Sequence, residues 1–166
     1  MNKTDNQEEI LIVVDENDIV LDYLPRSEVH AKNLLHRTIS VVIFNSKGAL
    51  VLQKRSLSKD TNPGMLGNAV GGHVNKGESY EDAAKKEAKE ELKQSLVLTK
   101  ILKTILEDPS HRTMTTIYKA TADGPFEYNK DEIDKIITMN PADLPNHADQ
   151  IAPSGKLILQ ALGVLK

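Results

Sequence analysis

Glu87, Glu90 and Glu91 fall in a single helical run, and their spacing constrains this chain more than any other feature. The run opens at Ser79, a suitable N-cap with Asp82 three residues on in an approximate capping box, and continues to about Gln94. Successive helical residues advance by about 100°, so with Glu87 at zero Glu91 falls near +40° and Glu90 near −60°. The three carboxylates therefore share roughly a quarter of the circumference. Ala84 and Ala88 lie beside them as a small-residue stripe suited to packing on a sheet, with Lys86, Lys89 and Lys93 on the other side. Glu81–Lys85 and Asp82–Lys86 have the favourable i,i+4 spacing, whereas Glu87 and Glu91 are like charges at that spacing. Two readings fit: a solvated helix laced with ion pairs, or an acidic flank that takes a hard cation such as Mg²⁺.

The rest of the chain predicts a mixed architecture. Ile10 to Val14 and Ile19 to Leu24 read as strands around an Asp15–Asp18 turn. Thr38 to Phe44 and Ala49 to Gln53 form a second pair, and Lys54 to Gly67 reads as a loop marked by Asn62, Pro63 and Gly64. Ala69 to Val74 is a strand with a double glycine, Gly71 and Gly72, which permits close backbone approach or a bulge. Strands are expected at Val97–Leu106, Met114–Thr121 and Ile133–Met139, a short helical piece at Asp143–Asp149, and a terminal helix from Pro153 to Val164. This order gives an α/β (α+β) fold, without the strict alternation of a doubly wound sheet.

A chain of 166 residues suits one domain, 9–166, after a disordered start at 1–8. With 21 basic and 24 acidic side chains, no broad electrostatic footprint for a nucleic acid polymer exists. The absence of Cys excludes disulfides, thiolate metal sites and cysteine nucleophiles. No apolar run reaches the roughly 18 residues of a membrane span, and Met1 to Glu9 lacks a signal-peptide core, so a cytoplasmic location is expected.

Gly72, five residues, Glu78, seven residues, then Lys86-Glu87-Ala88-Lys89-Glu90-Glu91 closely resembles the Nudix box. Two positions depart from it. The family Arg is Lys86, which loses two-pronged carboxylate pairing but can still anchor Glu78 by one charged bond. The family Gly is Lys93, so the helix is expected either to run on or to end with Lys93 in a left-handed conformation. The resemblance implies a Nudix-type α/β/α sandwich with a mixed central sheet. It also implies Mg²⁺ or Mn²⁺ held by Glu87, Glu90 and Glu91, with the Gly71 carbonyl as a backbone ligand. The implied reaction is hydrolysis of a small-molecule diphosphate, with Glu87 the leading base, Glu90 its catalytic neighbour, and Glu107, Asp108, Glu127 and Glu132 as alternatives. A low-turnover nucleotide- or metal-binding module is the rival, and a homodimer stays open.

Outside the box, Leu35–Thr38, Phe44–Gly48, Leu52–Ser56 and Lys59–Gly64 resemble the branch containing isopentenyl-diphosphate isomerase and its hydrolase-like relatives. In that branch, residues matching Arg55 and Lys59 grip the diphosphate; the alternative is two solvated loop cations. The isomerase itself is disfavoured, because its Cys position holds Gly71 and its aromatic screen includes Trp, which this chain lacks. Its metal site uses histidines and downstream glutamates. His36 and His73 match those positions and His30 lies near one, but the acidic pair is replaced by Arg112 and Met114. Each histidine reads most simply as an ordinary hydrogen-bonded residue. Tyr118 or Phe126 suit base stacking or the core, and His111 and Arg112 suit a second phosphate or ribose.

Overall fold

A computed structural model describes residues 6–166. Its elements are β1 (Ile10–Val14), β2 (Val20–Pro25), α1 (Arg26–Ala31), β3 (His36–Phe44), β4 (Leu50–Arg55), β5 (Leu66–Asn68), β6 (Val70–His73), α2 (Tyr80–Leu92), β7 (Thr99–Glu107), β8 (Arg112–Thr121) and β9 (Ile133–Met139), then a 3-10 helix (Pro141–Gln150) and α3 (Pro153–Ala161). Of the expected disordered start, residues 1–5 lie outside the described residues; at 6–8 the Gln7 carbonyl accepts from the Ser27 amide at 3.1 Å.

The sheet runs β2-β1-β3-β4-β5, with β6 and β8 also on β3, β7 on β8 and β9 on β4. β3 and β8 pair in parallel and the other named pairs are antiparallel, so the sheet is mixed as expected. The centre of β3 buries Val41, Val42 and Ile43 together, because both faces of the sheet are covered. Ile39, Val41 and Ile43 pack in a cluster with Ala83, Ala84, Ala88 and Leu92 of α2. Val42, Leu50, Leu52 and Ile117 pack in another with Ile158 and Leu159 of α3. This is the α/β/α sandwich, and it uses the Ala84–Ala88 stripe for close helix–sheet contact.

One expectation needs correction, one short helix is not anticipated, and one expected helical piece is present in a tighter form. Lys54 to Gly67 is not all loop: Lys54 and Arg55 extend β4, and Leu66–Gly67 begin β5. Local composition hid this, since β5 is a three-residue strand specified by pairing Leu66 with Lys54 and Asn68 with Leu52. The six-residue α1 was not read at all; Pro25 precedes it without a side-chain cap, and packing of Val29 with Leu11 and Val13 stabilises it. The piece expected at Asp143–Asp149 is a 3-10 helix over Pro141–Gln150, where the internal Pro145 lacks the N–H that an α-helical ladder needs.

Ser79 caps α2 as expected, accepting from the Asp82 amide at 3.1 Å. Lys93 ends it in the left-handed region at φ 54°, where the Gln94 amide reaches the Ala88 carbonyl at 3.3 Å. Lys93→Gly should therefore raise stability by about 0.5–1 kcal/mol in chemical denaturation, by removing the side-chain penalty of this conformation. An unchanged or lower midpoint would show that Lys93 sits there without strain.

Candidate active site

β6 and α2 bring the carboxylates to a cavity of about 390 Å³. Gly71 and Gly72 pair with Ser40 and Ile39 of β3, which fixes the double glycine on the floor beneath α2. A Cβ on Gly72 would lie 2.7 Å from the Glu87 carboxyl carbon, so position 72 has room only for glycine. At Gly71 the nearest such contact is 3.8 Å, to the Ile39 carbonyl, so a methyl would fit there. The Gly71 amide donates to Glu91 Oε2 at 3.2 Å, tying strand to helix.

Glu87 and Glu91 are both buried, at 7% exposure. Burial and the neighbouring Glu90, Glu9 and Glu78 outweigh the attraction of Lys86 and push Glu87 up to about 8. Burial first, then Glu87, holds Glu91 well above the usual carboxylate range despite the Gly71 bond. Glu90 lines the same cavity from a half-buried position. Oxygen donors arranged this way fit a hard divalent cation, whose charge would offset the burial and repulsion that keep protons on Glu87 and Glu91.

Lys86 donates to Glu78 Oε1 at 2.6 Å, the single charged bond expected, while the Asn75 amide donates to the other Glu78 oxygen at 3.2 Å. Lys86 also lies 3.7 Å from Glu87. The Lys-for-Arg departure therefore keeps the anchor.

Arg55 and Lys59 line the cavity with the glutamates. Arg55 donates to the Thr61 carbonyl at 2.9 Å and its hydroxyl at 3.0 Å, which fixes the guanidinium. Lys59 is 8% exposed and acts electrostatically on Glu91, so it is not a solvated loop cation. Among the alternative bases, Asp108 lines the cavity and Glu132 acts on Glu91, whereas Glu107 pairs with Arg112 at 2.6 Å and Glu127 is exposed. Arg112 turns to Glu107 and Glu16 and is not among the cavity residues, although His111 is. Tyr118 is a core residue, and Phe126 packs against the same core.

Sequence reasoning missed two charged cavity residues, Arg26 and Glu9. Arg26 is buried and pairs with Asp60 at 3.1 Å. Glu9 lies 3.4 Å from His73; burial works to raise it, but His73 and Arg26 outweigh that and hold it below its ordinary value. No local signal marks Glu9 or Arg26, because only the pairing of β1 with β3 and the docking of α1 bring them in.

The NUDIX domain profile matches residues 34–162. The chain belongs to the Nudix hydrolase family. Nudix hydrolases are pyrophosphohydrolases that generally need divalent cations such as Mg²⁺, and their fold binds small-molecule substrates. The uncharacterized Nudix hydrolase PA4841 of Pseudomonas aeruginosa is 33% identical over 134 residues, covering 80% of this chain and 79% of the relative. The crystal structure of DR0079 from Deinococcus radiodurans superposes with a TM-score of 0.79 at 26% identity, over 95% of this chain and 100% of the other. Isopentenyl-diphosphate Delta-isomerase 2 of Photorhabdus laumondii is 38% identical over 79 residues, 48% of this chain and 45% of the isomerase. This Nudix hydrolase thus has the branch likeness read from its sequence. Among the described residues no helix is long and apolar enough to cross a membrane.

Proposed function

We propose that this Nudix hydrolase cleaves a diphosphate linkage in a nucleoside diphosphate derivative or related small molecule, with Mg²⁺ or Mn²⁺ held by Glu87, Glu90, Glu91 and the Gly71 carbonyl. One observation carries the reading: two buried carboxylates, both held above their ordinary value chiefly by burial, line the cavity that Arg55 and Lys59 also line. When bound, the cation supplies charge stabilisation at the phosphoryl oxygens and acidifies water. Arg55, held by Thr61, and Lys59 grip the diphosphate and orient it. Glu87 is the base that takes the proton of the attacking water, and Lys86, pinned by Glu78, keeps positive charge beside it. Glu90 shares the acidic flank and completes the catalytic pair. The isomerase reading lacks its acid–base and cation-screening groups, since the chain has no Cys and no Trp.

Phosphate or nucleotide release from a panel of nucleoside diphosphate derivatives and prenyl diphosphates, with Mg²⁺ or Mn²⁺, tests this. Turnover of at least one member is expected. Binding without release, in wild type and Glu91→Gln alike, would favour the low-turnover module. On a cleaved substrate, Arg55→Ala should raise KM about tenfold with a smaller change in kcat, the mark of lost diphosphate binding. A fall in kcat alone would remove Arg55 from that role.

A further inference from the structure

The face of the sheet that α3 covers is apolar along Val42, Leu50, Leu52 and Ile117, but it turns polar where it meets the cavity. Thr115 lies two residues before Ile117 on β8 and opposite Thr38 of β3, so strand alternation puts both threonines on that face. Their hydroxyls are 2.7 Å apart, and the Thr113 hydroxyl lies 2.9 Å from that of Thr115. Three hydroxyls carry three protons, and these two contacts use two of them. One O–H and several oxygen lone pairs therefore have no partner among the described residues.

Asn68 of β5 stands opposite Leu52, which places it on the same face. It is 8% exposed and lines the cavity, yet its side chain makes no hydrogen bond among the described residues, and its Oδ1 is sealed from solvent. A buried amide left without a partner carries a free-energy penalty that a bound polar group removes. The start of α3 closes over β5: the Ala152 amide donates to the Leu66 carbonyl at 2.8 Å, and a Cβ on Gly155 would lie 3.8 Å from the Gly67 Cα. The threonines and Asn68 thus line a polar lobe of the cavity that Glu87, Glu91, Arg55 and Lys59 also line.

We propose that this lobe receives a sugar ring attached to the diphosphate, and that Asn68, Thr113 and Thr115 select it over a hydrocarbon group. The inference rests on the diphosphate-hydrolase reading and specifies the substrate of that site. Threonine and asparagine are uncharged, and each both donates and accepts, which is the pattern of a hydroxyl group itself. A ring with adjacent hydroxyls, such as the ribose of a nucleoside diphosphate, satisfies them. A prenyl group would bury them unpaired, and a site built to pair with hydroxyls rejects an analogue that lacks them.

The test is calorimetric titration of the full-length chain, with Mg²⁺ present, using three methylene-bridged diphosphonate analogues that turnover cannot consume: those of ADP, 2′,3′-dideoxy-ADP and dimethylallyl diphosphate. The ADP analogue should bind at least about tenfold more tightly than either of the others. Asn68→Leu and, independently, Thr113→Val at a half-buried position should weaken the ADP analogue by about tenfold and change the dideoxy analogue less than about threefold. Variants that weaken both nucleotides alike would overturn the proposal, since that is the mark of a merely structural role. Equal binding of all three analogues by the wild type would also overturn it while leaving the hydrolase reading intact. Failure of every analogue to bind would remove the diphosphate reading, and this inference with it.

Discussion

Glu91→Gln will lose at least about a hundredfold in turnover while making the metal-free chain more stable at pH 8. The first effect follows from removing a proposed cation ligand. The second follows from the burial of Glu91 beside Glu87, which holds both carboxyls above the ordinary glutamate value of about 4.5. In the metal-free fold these groups keep protons that the unfolded chain has released. Their contribution to stability is therefore complete below about 4.5 and is lost as pH rises through the folded value, about 8 for Glu87. Glutamine never pays this ionisation penalty, and its carbonyl can still accept from the Gly71 amide. The gain should be on the order of 1–3 kcal/mol at pH 8 and should vanish near pH 4. Urea denaturation at the two pH values, beside steady-state turnover, checks both halves. A variant that is less active and also less stable at pH 8 would make Glu91 a structural residue.

Gly72→Ala should lower turnover by about ten- to a hundredfold, with Gly71→Ala much closer to wild type. The added methyl at position 72 meets the carboxyl carbon of Glu87 at 2.7 Å and its γ-carbon at 2.8 Å, in a side chain that is buried. Glu87 must swing away, which moves a proposed ligand and base together. At position 71 the methyl meets only a carbonyl at 3.8 Å, and the Gly71 amide and carbonyl are retained. Because the pair differs by one position on the same strand, general weakening of β6 would affect both variants alike. Equal activity in the two would deny that Glu87 is held by its contact with Gly72.

The box helix was legible because its signals are local: the Ser79 cap, the alanine stripe and the acid spacing all lie within one element. Lys86 and Lys93 were legible for the same reason, and both do what a lone cation and a left-handed cap residue must. β5 and α1 were not, since each is specified by its partners, Leu52 to Lys54 for the strand and Leu11 with Val13 for the helix. The same reason hid Glu9 and Arg26. His30, His36 and His73 were visible one by one, but the approach of their rings depends on the register that sets Thr38 opposite His73 and on the docking of α1. Arg112 was placed in the site by its neighbour in sequence, yet strand alternation sends it to Glu107 while His111 faces the cavity.

Calorimetric titration with Mg²⁺ in the presence of a non-hydrolysable diphosphate, repeated in buffers of different ionisation enthalpy, addresses the central claim most directly. Saturable uptake with net release of protons near pH 7 is predicted, because Glu87 and Glu91 must ionise to hold the ion, and both should disappear when Glu87, Glu90 and Glu91 are all Gln. Absence of uptake, or uptake that persists in the triple variant, would contradict the account.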